Sequence, residues 1–139
     1  MLDQMPAPGE PVTDGRPYLR EEAPNEFVVQ GVGYLPVMYR IWETFFRAGF
    51  GDRGQEDYLE WRDHFLRAAG ASSFTPEMVA GMTRQDCRYL LRTIQRGERF
   101  CDGAWASAHA QGLFHAIARR LMELAGGEDE AAGKQGNLL

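Results

Sequence analysis

At 139 residues, 44% of them apolar and with a net charge of −5, the chain can build one modest core and no more. No apolar run approaches the roughly 18 residues of a membrane span. The opening Met1-Leu2-Asp3-Gln4 has neither the basic start nor the apolar stretch of a signal peptide, so a cytoplasmic protein without membrane contact is expected.

The charge is unevenly placed. Residues 1–33 carry six acids against two arginines, and 125–139 three acids against Lys134, the only lysine. The segment between holds twelve arginines and eleven acids and is close to neutral. Arginine use of this kind, with abundant alanine and glycine, suggests a GC-rich bacterial or phage genome. Cys87 and Cys101 read as free thiols, with one disulfide as the lesser alternative.

Pro6, Pro8, Pro11, Pro17 and Pro24 crowd residues 1–25. Such a stretch buries too little apolar surface to offset its ordering entropy, so it is expected to be disordered or to wrap irregularly over the domain. Phe27-Val28-Val29 has extended character but no evident strand partner, which argues against a sheet. The first helix is expected from about Pro36 to Ala48, with Pro36 at a first helical position and Gly49 as its stop. Val37, Met38, Ile41, Trp42, Phe45 and Phe46 cover more than half its circumference, so it is either the centre of a bundle or part of an interface.

A second helix is expected over Gln55–Ala69, with Tyr58, Trp61, Phe65 and Ala68 inward. Glu56, Glu60 and Asp63 form an acidic ridge on another side, and Asp63 can pair with Arg67. Thr75-Pro76-Glu77 starts a short helix ending near Gly81. Thr83, with Asp86 three residues on, caps the next helix, which buries Cys87, Leu90, Leu91 and Ile94 and stops at Gly97. Asp102 reads as the cap of a small alanine-rich helix ending before Gly112. The last helix, about Leu113 to Leu124, buries Phe114, Ile117, Leu121 and Leu124 and closes at Gly126-Gly127. The fold class is therefore all-α, a compact bundle of five to six short helices over residues 26–125. Residues 1–25 form a disordered proline-rich leader and 126–139 a disordered acidic, glycine-rich tail.

The sharpest chemical pattern is a row of arginines four apart, Arg84, Arg88, Arg92 and Arg96, followed by Arg99. Four-residue steps turn the row through about 40° each, a slow spiral over one side of the helix. Guanidinium groups so placed can track phosphates or clasp carboxylates. The plainer readings are a solvated face, or internal pairing with Glu56, Glu60 and Asp63. Direct nucleic-acid binding is not favoured, because the near-neutral core lacks a basic excess. Cys101 could become a reactive thiolate at the start of the Asp102 helix, but its spacing to His109 and His115 matches no cysteine-hydrolase pattern. Cys87, Cys101, His109 and His115 have no metal-ligand spacing, so neither a metal nor a cofactor is expected.

The stretch Leu90–Gly103, with Gly112 and Ile117-Ala118-Arg119-Arg120-Leu121 after it, resembles a bacterial, archaeal and phage domain-of-unknown-function family. That family carries an R-x-x-R-F-[CS]-x-G block, here Arg96 to Gly103, between two helices. The resemblance covers about two-thirds of the chain. It departs in the context of Trp61 and in the leader, which looks private to this chain. It implies a helical domain with a tight interhelix corner at Arg99-Phe100, and carries over no activity or catalytic residue. In that corner Phe100 is the expected anchor, Asp102 the cap, and Gly103 and Gly112 the points of close packing or turning. Arg96 and Arg99 would then bond helix-end carbonyls.

The functional expectation is a non-enzymatic protein-interaction module. A phage or bacterial inhibitor or regulator of a larger complex fits, for example an anti-CRISPR-type inhibitor of a defence nucleoprotein. Homodimerisation through the first helix is compatible. The alternatives are nucleic-acid or phosphate-ligand binding through the arginine face, and a thiol-dependent enzyme at Cys101.

Overall fold

The computed structural model describes residues 5–23, 26–50, 54–101 and 103–138, and the side chains of 5–13, 33–50, 54–101 and 103–126. The architecture is helical, with a two-stranded hairpin leading into six helices. β1 (Thr13–Ala23) pairs antiparallel with β2 (Glu26–Tyr34), setting Leu19 against Val29, Arg20 against Val28 and Glu21 against Phe27. This corrects the expectation that Phe27-Val28-Val29 lacks a partner. Its partner is the leader itself. Pro17 offers no N–H to the ladder, and the register shifts on both sides of it, which is why the first strand carries no clean alternation.

The rest of the described leader wraps over the bundle. Met5 and Val12 are buried in the core. The rings of His109 and His115 bond the carbonyls of Glu10 and Pro6 through Nε2, the first at 2.9 Å. A carbonyl only accepts, so each Nε2 carries the proton.

α1 (Pro36–Arg47) begins at Pro36 as expected and ends in a turn through Gly49 at φ +91°. Met38, Ile41 and Phe45 are fully buried and Trp42 nearly so, which makes α1 the centre of the bundle. Tyr39 and Phe46 are its two large hydrophobic side chains left exposed. α2 (Tyr58–Ala69) lies on α4 (Arg84–Gly97) through a stack in which Trp61 sits between Phe74 and Tyr89, at 5.4 and 5.5 Å and within 12° of parallel. Asp63 pairs with Arg62 at 3.1 Å and not with Arg67.

Between them, α3 (Pro76–Val79) starts at Thr75 and Pro76 as expected. The Thr83–Asp86 capping box of α4 is present in both directions, at 3.0 and 3.1 Å, and Asp86 also accepts from the Trp61 indole at 3.1 Å. Thr83→Ala is expected to lower stability by about 1 kcal/mol, read as a shift of the urea midpoint with unchanged slope.

α5 (Ala104–Ala110) turns at Gly112, φ +81°, into α6 (Leu113–Leu138). Leu113, Phe114, Ile117, Ala118 and Leu121 close the core from that side. The backbone helix continues past Gly126-Gly127, beyond the expected end at Leu124. Glycine in a helix costs only about 1 kcal/mol relative to alanine, and Glu128–Ala132 beyond it favour the helix.

Candidate functional site

The arginine row divides in two. Arg88 lays its guanidinium 4.6 Å from the centre of the Phe50 ring and donates from Nη1 to the Gly49 carbonyl at 2.8 Å. Arg84 lies 5.8 Å from the same ring, and Phe50 is buried. These two cations therefore fasten the turn after α1, where the C-terminal end of the helix dipole favours positive charge. Glu56 and Glu60, the other members of the acidic ridge, stay exposed on and before α2.

The C-terminal half of the row faces another environment, created by the corner between α4 and α5. Glu98 organises that corner. Its carboxylate accepts from the backbone N–H of Gly103 at 2.7 Å, from that of Trp105 at 3.0 Å, and from the Tyr34 hydroxyl. The Tyr34 oxygen in turn accepts from the N–H of Ala106 at 3.3 Å. Burial, and then the bond to Glu98, push the Tyr34 phenol well above its usual pKa. The orphan amides of the first turn of α5 are thus met by Glu98, just before the helix, and by Tyr34, far back in the sequence. Asp102, the expected cap, lies outside the described residues, and the N-cap position is Gly103 at φ +88°, a conformation that favours glycine.

Phe100 is not the anchor of this corner. It is 78% exposed. Trp105 takes that role, with Tyr34, Trp42 and Tyr39 rings at 5.2, 5.4 and 6.3 Å and its indole N–H donating to the Gln95 carbonyl at 3.3 Å. Gly112 serves the turn, at φ +81°, where glycine is favoured; a Cβ there would meet Pro8 and Pro76 only at ordinary contact distances of 3.8 and 3.9 Å. Tyr34, Glu98 and Trp105 escaped sequence reasoning as site residues. The only signal for Glu98 was its place inside the Arg96–Gly103 block.

Over this corner lies a groove of about 370 Å³ lined by Arg92, Gln95, Arg96, Glu98, Arg99 and Trp105. Arg92 is braced by Gln95 Oε1 at 3.0 Å. Neither Arg96 nor Arg99 bonds a helix-end carbonyl among the described residues, contrary to expectation. The Arg96 Nε is buried without an acceptor, and Arg99 is exposed. Arg92 and Arg96 sit at i and i+4 on α4, and Arg99 follows in the turn after its end. The Glu98 carboxylate is turned to the α5 amides and the Tyr34 hydroxyl, so the groove keeps donors that can take an anion.

The thiols and histidines do not assemble. Cys101 is exposed beside a second groove, about 340 Å³, whose described lining is mostly small or apolar (Thr93, Ile94, Gly97 and Ala104 among them), with Gln111 and no histidine. Both candidate bases, His109 and His115, are held by leader carbonyls. Among the described residues no group of three or more His, Cys, Asp and Glu could hold a metal ion, and no helix is long and apolar enough to cross a membrane.

Cys87 is fully buried, and its thiol is pushed from 9.0 to about 11, by burial first and then by Asp86, with Arg120 opposing. A thiol reagent at neutral pH is expected to consume one equivalent quickly, at Cys101, and the second only on unfolding. Cys101→Ser should remove the fast phase. Because the folded pKa of Cys87 lies above the unfolded one, the stability it lends is complete below pH 9 and lost as pH rises towards 11. The urea midpoint should fall over that window, and fall less in Cys87→Ala.

No curated protein and no solved structure matches the chain. A family of unknown function, DUF6508, matches residues 1–127. The match takes in the proline-rich leader, which the resemblance set apart as private to this chain. With all but its last residues covered, the protein belongs to this family of unknown function.

Proposed function

We propose that the protein is a non-enzymatic interaction domain that docks on an anionic surface of a protein partner through the groove of Arg92, Arg96, Arg99 and Trp105. The observation that carries this reading is the division of the row. Arg84 and Arg88 are used inside the fold, whereas among the described residues Arg96 and Arg99 make no side-chain bond, and both border an open groove. Arginine beside an aromatic wall is the composition of interface hot spots, and its planar donors suit carboxylate or phosphate. In a chain of net charge −5 this is a local reversal of sign, which favours orientation of an acidic partner over general adhesion to polyanions. A regulator or inhibitor of a larger complex fits this reading, a defence nucleoprotein of the CRISPR type being one candidate target. Homodimerisation through α1 loses support, since most of its apolar face is buried.

The test is affinity capture from host lysate with the wild-type chain and with Arg96→Glu/Arg99→Glu, before and after nuclease treatment. The expected result is a protein partner retained by the wild type, lost with the charge-reversed pair, and indifferent to nuclease. Capture that survives the double substitution contradicts the reading. Capture abolished by nuclease transfers the function to nucleic-acid binding.

A further inference from the structure

We infer that the face formed by His109 on α5, the Gly112 turn and His115 on α6 is a binding groove for a short proline-spaced peptide of a partner protein, which the leader fills in cis as a competitor. This face is apart from the arginine groove, so failure of either reading leaves the other standing. The first argument is how the leader is held. His115 donates to the Pro6 carbonyl, His109 to that of Glu10 at 2.9 Å, and the Leu35 N–H to that of Val12 at 2.8 Å. These acceptors are backbone groups, which every peptide carries. Met5 and Val12 are its apolar ends, 7% and 4% exposed, and Pro8 lies beside the Gly112 turn. Ala7, Gly9, Glu10 and Pro11 between them are exposed. A segment of another chain with two apolar ends and prolines between them meets the same requirements.

The second argument is demand. Met5 and Val12 belong to the core cluster, so lifting the leader wets the apolar ground beneath them. It also takes from the His109 ring, 3% exposed, the acceptor of its Nε2 proton. An empty groove is unfavourable, and an incoming peptide that supplies the apolar ends and the carbonyls restores both contributions.

The third argument is poise. One bond, from the Glu10 N–H to the Ala7 carbonyl at 2.8 Å, closes the leader's own turn, and Pro6, Pro8 and Pro11 stiffen it. A stiff segment loses little entropy on docking, whichever chain carries it. Thr13 pairs with Tyr34 at the base of the hairpin, so residues 5–12 can lift without unpairing β1 from β2.

Fluorescence anisotropy tests this with a labelled peptide copying residues 5–13 and two full chains: the wild type, and Met5→Ser/Val12→Ser, in which the leader is loosened. The loosened chain is expected to bind the peptide at least about tenfold more tightly than the wild type, whose tethered leader competes. A peptide of the same residues in scrambled order should not bind. Met5→Ser and Val12→Ser made in the peptide should weaken it at least about tenfold, and His115→Ala in the loosened chain about fivefold.

Equal binding by the two chains, equal binding of the scrambled peptide, or no binding by a loosened chain that still unfolds cooperatively in urea overturns the inference. If the loosened chain does not fold, hydrogen exchange of the wild type decides. The Glu10 and Leu35 amides, bonded to the Ala7 and Val12 carbonyls, should exchange at least about a hundredfold faster than those of Ile41 and Phe45 in α1. Protection equal to that of α1 would show that the leader lifts only when the whole domain unfolds, which overturns the inference as well.

Discussion

Phe114→Ala is expected to destabilise the domain by about 4 kcal/mol, the largest effect of any single truncation considered. The ring is fully buried where α6 meets α1, edge-on to Trp42 at 5.3 Å and 6.1 Å from Phe45. Truncation removes the transfer contribution of the ring and two aromatic contacts. It also leaves a cavity beside Phe45 and Trp42, residues already fixed in the core on α1. A domain of this size holds roughly 5–15 kcal/mol in total, so the variant should unfold at much lower urea or fail to unfold cooperatively. Phe100→Ala is the matched control. With its ring 78% exposed, that change should stay within about 0.5 kcal/mol of wild type.

The second large effect belongs to Glu98. Glu98→Ala strips three donors of their acceptor at once: the Tyr34 hydroxyl and the amides of Gly103 and Trp105. Each buried donor left unmet costs on the order of 1–3 kcal/mol. The groove beside them is open, so water can restore part of this, and about 3 kcal/mol in total is expected. Tyr34→Phe removes one donor to Glu98 and the acceptor of the Ala106 N–H, and should cost about 1–2 kcal/mol. The double variant should show a coupling of about 1 kcal/mol or more, because the two residues share one network. Additive losses measured by urea unfolding would show that Glu98 does not organise the corner.

Local rules made much of the fold legible. Thr75-Pro76 and Thr83 with Asp86 announce helix starts through bonds that span three residues, and both are present. The stripes Cys87, Leu90, Leu91, Ile94 and Phe114, Ile117, Leu121 are buried because the helical period places them on one face. What stayed hidden depends on contacts across long stretches of sequence. The hairpin is one case, since Pro17 and the charges around it hide the alternation of a strand. The cap of α5 is another, because part of it comes from Tyr34, far back in the sequence, which accepts from Ala106 and donates to Glu98.

The candidate site was half legible. Its arginines stand out in the sequence, but their division does not, because the position of Phe50 is set by the turn after α1. Phe100, the expected anchor, faces solvent, and Trp105, of which no role was expected, anchors the corner. An aromatic residue in a loop has no periodicity to show which way it faces, and tertiary packing decides.

The most direct test of the divided row is one pair of variants read in two assays, thermal unfolding and binding to the captured partner. Arg88→Ala should lower Tm by several degrees, through loss of the Gly49 bond and the Phe50 contact, and leave partner affinity unchanged while the protein is folded. Arg96→Ala/Arg99→Ala should keep the wild-type Tm and lower partner affinity about a hundredfold, at about tenfold for each lost charge-assisted contact. The contrary result is a stable Arg88→Ala that no longer binds, or an Arg96→Ala/Arg99→Ala pair that binds as wild type. Either would show that the groove over the α4–α5 corner is not where this protein meets its partner.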